Sequence, residues 1–191
     1  MELCFATNNQ HKLREVRQLL DGQYRVLGLA DIGCTEELRE DQDTLEDNSL
    51  QKAKYIFDHY NISCFADDTG LEVDALQGAP GVYSARYAGA QRNDEDNINL
   101  LLKNLEQSAN RKARFRTIIT LVITGTVHQF EGIAHGEILT SKRGEHGFGY
   151  DPVFLPEGHQ KSMAELTAAE KNAVSHRGRA MKKLVAFLKN Q

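Results

Sequence analysis

Apolar and polar positions form short, regular blocks through the first third of the chain. Leu3 to Ala6 is an unbroken apolar run of strand length, closed by the polar cluster Thr7-Asn8-Asn9. From Gln10 to Leu20 the apolar positions Leu13, Val16, Leu19 and Leu20 recur at helical spacing, and Gly22 supplies a stop. Tyr24 to Leu29 predicts a second strand, followed by an acid-rich irregular stretch from Glu36 to Asp47. Leu50, Ala53, Ile56 and Phe57 mark an amphipathic helix ending near Tyr60, and Ile62 to Ala66 is a further strand-like run. Strand, helix, strand, helix, strand predicts the α/β class with a partly parallel sheet.

The middle of the chain follows another pattern. Gly70 to Gly89 carries four glycines and Pro80 and reads as a long loop, a length that is usually functional or disordered. Ile98 to Leu105 predicts a helix. Phe115 to Ile123, Val127 to Ile133 and Gly136 to Leu139 predict an antiparallel meander, with Gly125 near its first turn. A second loop rich in glycine and proline, Gly144 to Gly158, precedes a last helix with the apolar stripe Met181, Leu184, Val185 and Leu188.

Composition narrows the class. With 191 residues, 40% hydrophobic and 26% charged, the chain suits one soluble globular domain. No apolar run reaches the ~18 residues needed to span a bilayer, and the N-terminus lacks a signal-peptide pattern. Three cysteines, Cys4, Cys34 and Cys64, have no metal-site spacing and point to a reducing, cytoplasmic setting. A net charge of −4 argues against a nucleic-acid partner, but a local cation cluster could still take a nucleotide.

Five stretches could carry chemistry. In TNNQHK, Thr7 to Lys12, a strand ends and a helix begins, so free amides, the helix dipole and Lys12 suit a phosphate; plain capping by Asn is the alternative. The apolar triplet Cys-Phe-Ala recurs at Cys64 to Ala66 and empties into Asp67-Asp68-Thr69. Two adjacent carboxylates at a strand end resist desolvation, and a site with phosphate and Mg2+ would give them a use. Neighbours in an extended chain point opposite ways, so one aspartate would enter the site and the other brace the loop. Asp68-Thr69-Gly70 also matches an aspartic-protease loop, but a single copy among strong helices disfavours that reading. Thr44 and Asp47 have capping-box spacing, with a metal-facing carboxylate as the alternative. HGFGYDPVF, His146 to Phe154, combines glycines that permit close backbone approach with aromatics able to stack on a base; a hydrophobic loop that plugs the core is the alternative. Lys171, His176 and Arg177 cluster near a helix start with Ser175 as a possible cap, suiting an anion, with a solvated basic helix end as the commoner explanation. The histidines show no zinc spacing.

In chain order, FATNNQHKLREV, TLEDNSLQKA, FADDTGLEVDALQGAPGVYSARYAG, GFGYDPVF, AELTAAEK and SHRGRA resemble the inosine/xanthosine triphosphate pyrophosphatase family, from Leu3 to the last helix. The resemblance implies one domain, residues 1–191, elongated and two-lobed, with a mixed, strongly twisted central sheet flanked by helices and an active-site cleft between the lobes. It implies Mg2+-dependent hydrolysis of the non-canonical purine nucleotides ITP, dITP and XTP to the monophosphate and pyrophosphate, by a cytoplasmic homodimer. By motif match Thr7, Asn8, Asn9, Gln10, His11 and Lys12 would hold the triphosphate. Asp68 would be the catalytic carboxylate and a metal ligand, and Thr69 would contact substrate. Phe148, Gly149, Tyr150 and Asp151 would sit against the base, and Lys171, His176 and Arg177 would complete the pocket. There are two departures. Asn8 stands where the family often has Gly, an exchange a left-handed turn would tolerate. The family's metal-binding Glu aligns with Asp47, beside Glu46.

Overall fold

The computed structural model describes residues 2–20 and 22–190. In chain order its main elements begin with β1 (Glu2–Phe5), α1 (Gln10–Leu20), β2 (Arg25–Leu27), α2 (Leu45–Tyr60), β3 (Cys64–Val73) and β4 (Pro80–Gly81). They continue with α3 (Asp94–Asn104), β5 (Lys112–Ile123), β6 (Thr126–Ile138), β7 (Phe154–Pro156), α4 (Ala168–Val174) and α5 (His176–Leu188). The sheet is mixed, ordered β2-β1-β3-β5-β6-β7 with β4 on β3. β1 pairs in parallel with β2 and β3, whereas β4 on β3 and β7 on β6 are antiparallel. The chain forms two compact units, Met1–Asp68 with Thr117–Gly132 and Arg177–Gln191, and Thr69–Arg116 with Ile133–His176.

In the first unit the two Cys-Phe-Ala runs lie side by side, Cys4 opposite Cys64 and Phe5 opposite Phe65. Both faces of these strands are buried, so their sequence shows no polar alternation. Leu3, Phe5 and Phe65 face one apolar cluster with Leu13 and Val16 of α1 and Met181 and Leu184 of α5. Cys4, Ala6, Cys64 and Ala66 face another with Ala53 and Ile56 of α2. The Phe5 and Phe65 rings stack at 4.7 Å, and the three cysteines are free thiols in the interior. Burial above all pushes the Cys4 and Cys64 thiols up to about 12, which leaves them chemically quiet.

In the second unit, α3 places Ile98 and Leu101 against Leu71, Phe115, Ile138 and Phe154 of the strands. Phe115 touches both the Phe154 ring, at 4.7 Å, and the His176 ring, at 4.6 Å.

Four expectations change. β3 does not stop at Ala66 but runs through Asp67, Asp68 and Gly70 to Val73. The stretch Gly70 to Gly89 is therefore not one long loop: it holds the end of β3, three-residue 3-10 turns at Asp74–Leu76 and Ser84–Arg86, and β4. β6 is a single strand where two were expected, and β7 forms within the second glycine-rich loop. Ser175 directly precedes α5, the place expected of its cap, and Lys171 lies in the short helix α4 just before it.

Candidate active site

The alternation of β3 decides where its two aspartates point. Asp67 continues the side of Phe65, toward α1 and α5, and Asp68 continues the side of Ala66, toward α2. Asp67 is 1% exposed and meets cations from both helices on its side. Lys12 Nζ donates to Oδ1 at 2.9 Å and Arg177 Nε to Oδ2 at 3.0 Å. The Arg177 guanidinium, itself 3% exposed, is also held by Glu15 at 2.5 Å. Burial pushes the Asp67 carboxyl up, but Lys12, Arg177 and Lys52 together outweigh it and hold the group well below the usual carboxylate range.

Asp68 has different surroundings. It is 8% exposed, and burial raises its proton affinity. Lys52 and Lys12 oppose that rise, Glu40 and Asp67 reinforce it, and the net displacement is upward. Lys52 arrives from α2: its Nζ donates to the Asp67 backbone carbonyl at 2.7 Å and to the Glu40 carboxylate. One adjacent pair thus divides into a bracing carboxylate held between cations and one whose proton affinity is raised by burial.

The Thr7 to Lys12 turn is ordered by its own side chains. Asn9 Oδ1 accepts from the His11 and Lys12 amides at 2.9 and 3.1 Å, capping α1, and Thr7 Oγ1 accepts from the Asn9 amide at 3.1 Å. Asn8 is not among the residues with left-handed backbone. Its amide side chain instead ties down the Glu36 carbonyl and the Leu38 amide. Gln10 and His11 are exposed, His11 in contact with Arg14. Asp47 is exposed at the start of α2, where Thr44 both donates to its carboxylate at 2.7 Å and caps its amide at 3.0 Å.

A second cluster lies wholly within the other unit. Lys171 Nζ donates to Asp151 Oδ2 at 2.7 Å, and both side chains are buried. The same oxygen accepts from the Phe148 amide at 2.9 Å, and the Lys171 ammonium sits 4.8 Å from the centre of the Phe148 ring. Tyr150 is buried, with its hydroxyl on the Ser84 carbonyl at 2.8 Å. His176 is stacked on Phe115, and Thr69 is half-buried on β3. The chain passes between the units four times, and two of those steps, Asp68–Thr69 and His176–Arg177, join residues singled out by sequence.

Residues 3–187 match the Ham1 family. This chain belongs to the Ham1 family. It is 50% identical over 190 residues to the dITP/XTP pyrophosphatase of Flavobacterium psychrophilum, covering 100% of both chains. It is 44% identical over 191 residues to that of Bacillus subtilis, covering 98% of this chain and 96% of the relative. The Ham1 protein of Staphylococcus aureus superposes with a TM-score of 0.89 at 38% identity, covering 100% and 99% of the two chains. A HAM1 protein from Coxiella burnetii gives 0.90 at 35% identity, with both chains covered fully.

Around its paired aspartates this Ham1 chain uses residues that the motif reading passed over. Lys52 falls on the buried stripe of α2 with Leu45, Ser49 and Ile56. A lysine at helical spacing among buried positions is a sequence signal, since lysine is almost never fully buried unless paired. Glu40 and Glu15 gave no such signal: each acts through a partner distant in sequence.

Proposed function

We propose that this chain hydrolyses ITP, dITP and XTP to the nucleoside monophosphate and pyrophosphate, removing deaminated purines from the nucleotide pool. Membership of the Ham1 family and the dITP/XTP pyrophosphatase relatives support the reaction class. The unequal aspartate pair supports the chemistry: Asp67 is tied between Lys12 and Arg177, while Asp68 has raised proton affinity.

The donor set suits Mg2+. Asp68 offers hard oxygens in an acid-enriched setting, and Mg2+ is held by one or two carboxylates plus substrate phosphates. Among the described residues no group of three or more His, Cys, Asp or Glu side chains forms a complete protein cage, so further ligands would come from substrate and water. Asp68 would hold the ion with a second carboxylate. Glu40, which acts on Asp68 electrostatically, suits that role better than Asp47, which is engaged in capping α2. Bound Mg2+ supplies charge neutralisation on the phosphates and polarisation at the α-phosphorus.

The chain's own residues do the rest. Asp68 orients the attacking water and takes its proton. Lys12, Lys52 and the residues of the Thr7 to Lys12 turn bind the triphosphate and stabilise charge developing on its oxygens. Phe148, Gly149, Tyr150 and Asp151 receive the base, with Lys171 and His176 beside them and Thr69 contacting substrate, while Arg177 acts by holding Asp67. The Phe148 ring offers a stacking face, and hydrogen bonds to the 6-oxo edge would exclude the 6-amino group of adenine. The working form in this reading is a cytoplasmic homodimer without nucleic-acid partners. Among the described residues no helix is long and apolar enough to cross a membrane.

Asp68→Asn tests the assignment. Turnover of dITP should fall by about three orders of magnitude or more while far-UV circular dichroism and the urea midpoint stay close to wild type. Near-normal turnover would remove Asp68 from the mechanism.

A further inference from the structure

The loop that carries Phe148 is fastened from outside by a residue that belongs to none of the motifs. α3 opens with three acids, Asp94, Glu95 and Asp96, behind the cap Asn93, whose Oδ1 accepts from the Asp96 amide at 2.9 Å. Acids in a first turn ordinarily serve the helix dipole, but Asp94 reaches elsewhere. Its Oδ2 accepts a hydrogen bond of 2.6 Å from the Gly149 backbone amide, 55 residues along the chain.

That peptide sits at an unusual point of the backbone. Gly147 and Gly149, on either side of Phe148, both have left-handed conformations, φ 82° and 59°. Such a path gives the loop little regular hydrogen bonding of its own, and two successive amides are instead taken by carboxylates. Asp151 accepts from Phe148 and Asp94 from Gly149. The helix that bears Asp94 is well anchored, with Ile98 and Leu101 in the core. Its next turn holds a neighbouring segment by the same device: Asn97 accepts from the Ala88 amide at 2.7 Å and donates to the Ala85 carbonyl at 3.1 Å.

We propose that Asp94 is a positioning residue for base recognition: by holding the Gly149 amide it fixes the Phe148–Tyr150 backbone and so the plane offered to the purine. The inference rests on the proposed function, which gives that loop to the base. A charge-assisted hydrogen bond to a main-chain amide is among the stronger ones available, and hydrogen-bonded selection is sensitive to small displacements of the groups that make it. Asp94 itself is exposed and needs no contact with substrate.

Asp94→Ala and Asp94→Asn, made in the full-length chain, separate positioning from a plain contribution to stability, because asparagine keeps an acceptor oxygen. Each is assayed for KM and kcat with dITP and ATP, for equilibrium binding of dITP, and for hydrogen exchange at the Gly149 amide. In Asp94→Ala the KM and Kd for dITP should rise about tenfold. Its kcat should stay near wild type, the preference for dITP over ATP should narrow, and Gly149 exchange should quicken. Asp94→Asn should restore most of each. Unchanged dITP affinity and unchanged preference in Asp94→Ala would overturn the proposal, as would equal losses in both variants. A wild-type chain that binds dITP but releases no pyrophosphate would unseat the proposed function while the binding comparison still judges Asp94. Absence of dITP binding by wild type would overturn both.

Discussion

Arg177→Met probes the buried charge network that holds Asp67. The substitution keeps much of the side-chain volume and removes two ion pairs, to Asp67 at 3.0 Å and Glu15 at 2.5 Å. Removing one partner of a buried ion pair costs about 3–5 kcal/mol, because the other charge is left uncompensated in a poor solvent for it. Lys12 remains on Asp67 at 2.9 Å, so the lower end applies, about 3 kcal/mol. That is a large share of the 5–15 kcal/mol that stabilises a typical domain, and it corresponds to a fall of roughly 6–12 °C in Tm for a chain of this size. Urea unfolding followed by far-UV circular dichroism suits a protein without tryptophan. Asp67 also fixes the sign of the acid response. Its folded pKa is depressed, so its stabilisation is present above the unfolded value near 4 and is lost as pH falls below it. Arg177→Met should flatten that dependence, and Asp67→Asn added to it should cost less than the sum of the single changes. A single variant within about 1 kcal/mol of wild type, or strict additivity in the double, would refute the network.

Three further expectations concern the two clusters. A Cβ on Gly147, at φ 82°, would fall 2.1 Å from the Asp151 carboxylate. Gly147→Ala should therefore push Asp151 off Lys171 and the Phe148 amide, raising the KM for dITP and lowering stability by about 1–3 kcal/mol, both measurable on the same preparation. Glu40→Gln should raise the Mg2+ concentration needed for half-maximal rate by about tenfold or more. Asp47→Asn should leave it unchanged and cost at most about 1 kcal/mol in stability through the α2 cap. A shift in Mg2+ demand with Asp47→Asn alone would return the second carboxylate to the sequence alignment.

Much of the first unit is legible from its residues. The repeated Cys-Phe-Ala run, the helix spacings after each strand and the caps Asn9 and Thr44 correspond to observed elements, whereas the pairing of Cys4 with Cys64 is visible only in the fold. The strand that carries the aspartates runs further than its local pattern predicts, for a physical reason. Adjacent carboxylates and a glycine ordinarily end a strand, and the groups that make them tolerable are distant: Lys12 is 55 residues from Asp67 and Arg177 is 110. No local pattern contains that information. Gly70 and Gly136 misled in the same way. A Cβ at Gly70 would meet the Gly81 carbonyl oxygen at 2.7 Å, and one at Gly136 the Leu155 carbonyl oxygen at 2.3 Å. Each glycine inside a strand marks a close neighbouring backbone instead of a break. Lys52 differs, since its place on the apolar stripe of α2 was open to inspection.

In the proposed reaction, attack falls on the α-phosphorus of deaminated purine nucleotides. The direct measurement is product analysis of dITP, XTP, ITP, ATP and GTP with and without Mg2+, assaying pyrophosphate and orthophosphate separately. Pyrophosphate and the nucleoside monophosphate are expected from dITP, XTP and ITP, only with Mg2+, with ATP and GTP largely spared. Orthophosphate as the first product, or equal turnover of ATP, would contradict that assignment.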